Sequence, residues 1–328
     1  MLQSQILSML RATWLTTALA GSLSLASCAN QPTVVPGPTS VGVGVAQIQR
    51  DIVAVRPLVS SRWAVEFLEA GPRIPGIAPR QLGNETVDEV GYYFGNGDSP
   101  IFWARLLDLL GQNDNRSIVG RRILDLSLSS IGPLRILSLA GADAVGVSPS
   151  TRLAALYGMP GDQGAAPLFG RNIAGHVSLI TGVLPTDAAA RTAVGGGYDA
   201  VVVKNYLKRG YLHPTDTAPP ETQLRLGVSD EEYLRFLLDI LKPSGRLVAY
   251  NLCPAPASGA QPYNPHADCR SPFTQAQWQG AGFRVLDYDR SDTPTARTFG
   301  QALGWDRGPA AVNLESNLFA TYTLVERL

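Results

Sequence analysis

Charge is scarce in this chain of 328 residues: Asp, Glu, Lys and Arg together make up 16% of it, where about 25% is usual. The 27 basic residues are matched by 27 acidic ones, so no net field gathers polyanions and nucleic acid is excluded as a main partner. No repeat period organises the 24 prolines and 33 glycines, which excludes collagen-like and solenoid architectures. Beyond residue 28 there is neither a second long hydrophobic run nor a basic run. What is present is apolar material, at 45% hydrophobic residues. That is enough for a well-filled core in one large or two modest globular domains.

The first 28 residues read as an address. Arg11 is the only positive charge ahead of an uncharged stretch from Ala12 to Ala26, long enough for a signal h-region and short for a membrane span. The stretch ends in Leu25-Ala26-Ser27-Cys28, which resembles the lipobox of bacterial lipoproteins, where cleavage leaves the cysteine as the lipidated first residue. Residues 29–49 carry no charge and are rich in Pro, Gly, Ser and Thr, too poor in large apolar groups to offset chain entropy. The expected organisation is a signal peptide at 1–27, a lipidated tether at 28–47, a helical N-terminal extension at 48–120 and a main domain at 121–328. The protein is then exported and meets a membrane through its lipid anchor only. The other cysteines, Cys253 and Cys269, read in an oxidising compartment either as a disulfide adding about 3 kcal/mol or as two unrelated buried thiols. A metal site from Cys253, His266, Asp268 and Cys269 is weaker, because the spacing matches no familiar zinc pattern.

Within the extension, Ser99-Pro100 opens a helix: serine caps it, proline takes its first position, and Ile101, Ala104, Leu107 and Leu110 recur on one face before Gly111 stops it. The preceding segment from Gly91 to Asp98, rich in aromatics and glycine, reads as a packed loop or a cleft lining. From Arg121 onward, short β-branched runs alternate with helical stretches, the signature of βαβ units. Strands are expected at 122–127, 144–148, 176–181, 199–204, 246–252, 283–289 and 318–326. Helices are expected near 132–140, 150–157, 186–194, 229–241 and 274–281. No crossover helix is evident ahead of the last strand beyond residues 294–303, so an antiparallel insertion fits it.

The order of these elements and several phrases resemble class I methyltransferases, which use S-adenosylmethionine. Arg122-Ile-Leu-Asp125-Leu-Ser-Leu-Ser-Ser-Ile-Gly132 stands where that family has a strand, an acidic residue and a glycine-rich turn. Val145-Gly-Val-Ser148 is similar to its second strand, Gly197-Tyr-Asp-Ala-Val-Val-Val203 to its fourth, Leu238 to Leu252 to the helix and strand that follow, and Gly280-Ala-Gly-Phe-Arg-Val285 to the approach to its sixth. The resemblance implies an α/β three-layer sandwich with a seven-stranded, mostly parallel sheet of methyltransferase-like Rossmann type. It also implies S-adenosylmethionine as cofactor near Asp125, Ser127, Ser129, Gly132 and Ser148, at the strand ends where sheet order reverses. The sequence departs from the family pattern in three places. Ser127-x-Ser129 replaces Gly-x-Gly, Ser148 replaces an acidic residue that would accept both ribose hydroxyls, and Thr181-Gly182-Val183 carries no acid.

The loop from Lys204 to His213 follows the fourth strand and, by the resemblance, faces the transferred methyl group. Methyl transfer is an in-line displacement that needs a positioned nucleophile and sometimes a base. Asn205 suits fixing a small or peptide-like acceptor, and His213 suits taking its proton, since the unperturbed pKa of histidine lies near neutrality. Lys204, Lys208 and Arg209 suit holding an anionic substrate; the alternative is solvated loop charge, and Lys208 in particular reads that way. His176 and His266 read as structural or solvent-facing. No Gly-x-Ser-x-Gly elbow occurs, and Ser-x-Ser-x-x-Gly at 127–132 is a poor dinucleotide fingerprint. Two functions follow: a membrane-anchored methyltransferase, or a catalytically inactive methyltransferase-like binding lipoprotein of the cell envelope.

Overall fold

The computed structural model describes residues 33–34, 42–95, 97–170, 172–216, 218–256, 263–308 and 311–328. The signal segment, Cys28 and most of the tether lie outside the described residues.

Apolar residues recur at helical spacing through the first part of the chain, and four helices form there: α1 (Val43–Val55), α2 (Arg62–Ala70), α3 (Glu89–Phe94) and α4 (Trp103–Leu110). Each polar cap has a visible bond. Ser61 Oγ accepts from Ala64 N, and Asp88 accepts from Gly91 N, satisfying donors that a helix start leaves open. Ser99 caps as expected, but Pro100–Phe102 is a 3-10 turn and the α-helix proper starts at Trp103. The extension is not wholly helical. Strands β1 (Thr33–Val34), β2 (Arg80–Leu82) and β3 (Glu85–Val87) form a small antiparallel sheet, in which β2 and β3 turn at Gly83 with φ 61°.

The main sheet holds β4 (Arg122–Asp125), β5 (Asp143–Ser148), β6 (Gly164–Ala165), β7 (His176–Thr181), β8 (Tyr198–Lys204), β9 (Leu241–Cys253), β10 (Phe283–Ser291) and β11 (Phe319–Arg327). Their order across the sheet is β10-β11-β9-β8-β4-β5-β7-β6. Strands β7, β5, β4, β8 and β9 are mutually parallel, whereas β11 runs antiparallel between β9 and β10. This is the expected three-layer α/β sandwich with a mostly parallel sheet, and the final strand inserts antiparallel as expected, although the connection from β10 carries two helices, Thr293–Ala302 and Leu314–Asn317. The expected seven strands are joined by an eighth, the two-residue β6, which pairs antiparallel with β7 at the edge.

Strand residues alternate between two cores because successive side chains point to opposite faces. Ile123, Ala144, Ala200, Val202 and Val248 join one cluster, and Leu124, Val145, Val201, Val203 and Ala249 join the other. The first cluster is covered by α1 to α4 together with α5 (Gly132–Leu139) and residues of α11 (Thr293–Ala302). The second is covered by α7 (Ala188–Val194), α9 (Asp230–Ile240) and α10 (Gln275–Gly280). The short helices α6 (Thr151–Leu156), α8 (Arg209–Leu212) and α12 (Leu314–Asn317) complete the set. The extension thus shares a core with the sheet. Polar ties reinforce the union: Arg105 of α4 binds Asp292 in a fork at 2.9 and 2.7 Å, and Tyr250 of β9 donates to the same carboxylate at 2.7 Å.

Candidate active site

The chain leaves β4 toward β5 and β7 on one side and returns to β8 and β9 on the other. The carboxyl ends of β4, β5 and β8 therefore flank the switch point at which open α/β sheets form a ligand crevice. Asp125 ends β4 and is 3% exposed. Burial pushes its carboxyl up to about 6, against the opposing pull of two hydrogen bonds from Ser127 and of the Lys204 cation. Ser127 donates to Asp125 Oδ1 from both its backbone N–H and its hydroxyl, each at 2.8 Å. The same hydroxyl oxygen accepts from the backbone N–H of Lys204 at 2.8 Å. Ser127 thus links the ends of β4 and β8, which a glycine at that position cannot do.

Lys204 carries the connection outward. Its ammonium pairs with Asp98 and lies 5.2 Å from the centre of the Phe102 ring, so the aromatic and glycine-rich segment of the extension is tied to the strand ends. That segment sits directly on the turn after β4. A methyl group placed on Gly132 meets the Tyr93 carbonyl oxygen at 2.3 Å and Pro100 Cβ at 2.9 Å; one placed on Gly95 meets the Ser129 carbonyl oxygen at 2.7 Å. Gly132→Ala is expected to lose roughly 1–3 kcal/mol through this overpacking, read from urea midpoints, while Gly280→Ala, with open space around it, is expected to be neutral or slightly stabilising. Equal midpoints for the two variants contradict the seating.

Ser148 ends β5, 9% exposed, and its hydroxyl oxygen accepts from Ser150 N–H at 3.2 Å. Ser129 is half-buried in the turn. Asn205 follows Lys204 in the left-handed region with φ 57°, where asparagine is better tolerated than most residues. Its N–H donates to Tyr250 O at 2.9 Å and its Oδ1 accepts from Leu252 N–H at 2.7 Å, so it joins the ends of β8 and β9. Asp125, Ser127, Lys204 and Asn205 form one connected group. His213 stands apart from it by its contacts: it closes α8, its Nε2 lies 3.0 Å from Asp230 Oδ1 at the start of α9, and its ring meets Phe273 edge-on at 6.5 Å.

Lys208 corrects the sequence reading. It is 0% exposed rather than solvated, its ammonium donates to Leu252 O at 2.6 Å, and it faces the Tyr211 ring at 5.1 Å. Burial, with the nearby Lys204 cation adding to it, draws the Lys208 amine down to about 7. Arg209 is anchored through its backbone to Arg270 O at 2.8 Å. The loop opposite is pinned by a disulfide between Cys253 and Cys269, with Cα atoms 6.2 Å apart. The Asp268 carboxylate is held in a fork by Arg270 at 2.7 and 2.8 Å. These bonds close the metal alternative at that loop, and no cluster of three or more metal-ligating side chains occurs among the described residues. His176 lies exposed at the start of β7, and His266 packs against Tyr211. Asp98, Gly95 and Asp230 escaped the sequence reading as site residues, although the cluster holding Gly95 and Asp98 was visible as an unusual segment.

No family model matches the chain, and no curated protein matches it. Among solved structures it is similar to the [4+2]-cyclase SpnF, at 15% identity over 90% of this chain and 98% of that one, with a TM-score of 0.40. Geranyl diphosphate C-methyltransferase from Streptomyces coelicolor A3(2) is similar at 14% identity over 70% and 82% of the two chains, with a TM-score of 0.40. Magnesium protoporphyrin IX methyltransferase from Synechocystis PCC 6803 is similar at 14% identity over 70% and 79%, with a TM-score of 0.35. No helix among the described residues is long and apolar enough to cross a membrane.

Proposed function

We propose that this chain is an S-adenosylmethionine-dependent methyltransferase of the cell envelope, exported, held at the membrane by lipid on Cys28, and acting on a small or peptide-like acceptor. The observation that carries the reading is the buried Asp125 carboxylate at the switch point of a methyltransferase-like sheet, bonded to the turn that follows it through Oδ1. The donors and acceptors there fit the cofactor. A carboxylate suits the cofactor's cationic amine, and Ser148, having accepted the Ser150 N–H, keeps its own O–H to donate to a ribose hydroxyl.

When bound, the cofactor supplies an electrophilic methyl group. Asp125, with Ser127, Ser129 and Gly132 shaping the turn, binds and orients it, and Ser148 meets the ribose. Asn205 orients the acceptor. His213 stands outside the Asp125–Asn205 group, so it serves as base only for an acceptor that reaches from Asn205 to it; with Nε2 3.0 Å from Asp230 Oδ1, Nδ1 is the nitrogen left for the proton. Titration calorimetry with S-adenosylmethionine is expected to give saturable heat, weakened about tenfold to hundredfold in Asp125→Asn, the loss of one charge-assisted bond. Absence of heat at millimolar ligand, with circular dichroism confirming the fold, rejects the reading.

The seating of Tyr93 and Gly95 on the 127–132 turn favours a second reading, in which the extension takes space that a cofactor would need and the domain is a non-catalytic binding lipoprotein. The same titration separates the two.

A further inference from the structure

Of the eight large apolar residues that stand exposed among the described residues, Leu168, Phe169 and Ile173 fall within six positions, at 49%, 50% and 51% exposure. They lie at the tip of the hairpin that joins β6 to β7. Ala165 pairs with His176, and Ala166 N–H donates to Gly175 O at 2.8 Å. Beyond that bond every described residue from Pro167 to Ala174 is exposed, so the loop stands off the edge of the main sheet as a finger. Phe169 is a bulky residue in the left-handed region, at φ 46°, a conformation that persists where surrounding structure enforces it. Its ring is met by Arg73, exposed in the turn Gly71–Arg73 after α2, whose guanidinium carbon lies 5.5 Å from the ring centre.

The segment that carries the finger holds no acid. No Asp or Glu occurs between Asp162 and Asp187, and the Asp162 carboxylate is buried and taken up by Arg80. Clustered apolar side chains beside a cation, with no carboxylate in their own segment, suit a partner that is apolar within and anionic at its rim. A phospholipid bilayer has that chemistry.

The start of the described chain brings such a surface close. Strand β1 pairs Val34 with Arg80, Arg80 forks onto Asp162 at 2.6 Å, and Asp162 stands four residues before Ala166 at the base of the finger. Cys28 precedes Thr33 by five residues, a reach of at most about 18 Å. Leu168 follows Asp162 by six residues, at most about 22 Å. A lipid on Cys28 and the tip of the finger are therefore within reach of one bilayer surface, and so short a tether presents even a weak contact at high effective concentration.

We propose that the finger docks into the anionic bilayer that holds the lipid of Cys28, with Leu168, Phe169 and Ile173 at the acyl boundary and Arg73 at the phosphates. The proposal rests on the reading of Cys28 as a lipid anchor and adds a second contact, which fixes the orientation of the domain on the membrane.

The test uses the full chain, as the producing cell processes it, combined with vesicles of phosphatidylcholine and phosphatidylglycerol carrying brominated acyl chains. Phe169→Trp adds a reporter at the tip, and its emission beyond that of wild type is expected to be quenched. Leu286→Trp, at an exposed position on β10 at the opposite edge of the sheet, is expected to stay bright. Arg73→Gln in the Phe169→Trp chain is expected to weaken docking about fivefold, the worth of one basic residue at an anionic surface. Mass spectrometry of the same preparation reads whether Cys28 carries lipid, which keeps the two readings apart. Lipid on Cys28 with the Phe169→Trp reporter unquenched, or equal quenching of the two reporters, overturns the finger and leaves the anchor. Quenching of the Phe169→Trp reporter alone in a chain without lipid overturns the anchor and supports the finger.

Discussion

Asp162→Ala is expected to lower stability by about 3–5 kcal/mol, the usual cost of stranding one partner of a buried ion pair. The side chains of Arg80 and Asp162 are only 7% and 2% exposed. Arg80 donates to both carboxylate oxygens at 2.6 Å, Tyr92 O–H donates to Oδ1 at 2.7 Å, and Met159 N–H donates to Oδ2 at 2.9 Å. Removing the carboxylate therefore leaves three sets of donors without their acceptor and a guanidinium against the Tyr92 ring, 4.5 Å from its centre. The loss is large against a typical total of roughly 5–15 kcal/mol. Three segments come loose together: the β2–β3 hairpin, α3, and the loop after α6. The double variant Arg80→Met with Asp162→Leu is expected to recover the part of the loss due to the stranded guanidinium, while Tyr92 O–H and Met159 N–H stay without their acceptor. Urea denaturation of the three proteins checks this, and a fall below about 1 kcal/mol in Asp162→Ala removes the claim that this network is what holds the extension.

The network bears on the site because the last turn of α3 carries the Tyr93 carbonyl, which leaves no room for a side chain on Gly132. Loosening α3 is the most direct way to open the strand ends without touching Asp125. If the extension obstructs a cofactor, Asp162→Ala is expected to bind S-adenosylmethionine more tightly than wild type, provided the measurement is made where the variant remains folded.

Legibility in the sequence followed the physics of each feature. Strands were visible because buried parallel strands need continuous apolar, β-branched runs, and Val201-Val202-Val203 has no other economical reading. Caps were visible because few side chains can satisfy an open helix start, as Ser99 shows. The insertion of β11 between β9 and β10 was only half visible: an antiparallel strand was expected because residues 294–303 alone offered a crossover helix, but the connection carries both α11 and α12, and the strand's neighbours depend on packing. The small β1–β2–β3 sheet was missed, since strands of two or three residues have no period to detect. Individual polar residues were least legible of all. Ser127 looked like a defective glycine, yet it is a bridge between two strands, and that role depends on Lys204, 77 positions away. Lys208 lies in a run of charged and polar residues that resembles a solvated loop, and only the return of β9 places Leu252 O over its ammonium.

Lys208 leads to a pH dependence of the same sign as the usual acid-side loss, but placed above neutrality rather than below it. In the unfolded chain its amine holds a proton up to the ordinary value of 10.5, whereas the folded protein releases it near 7. Between these values the unfolded state binds more protons, so stability from this residue rises with pH; it is complete above 10.5 and lost as pH falls through 7. The slope is about 1.4 kcal/mol per pH unit within the window. Lys208→Met keeps an unbranched side chain of similar length and removes the titration, at the cost of about 1 kcal/mol for the lost bond to Leu252 O. The variant is therefore expected to compare best with wild type at pH 7 and to lose ground as pH rises, the gap shifting by roughly 3 kcal/mol between pH 7 and 9. Guanidinium denaturation of both proteins at several pH values reads this directly. Parallel stability profiles across that range refute it, and with it the picture of an amine shut away from water beneath the end of β9.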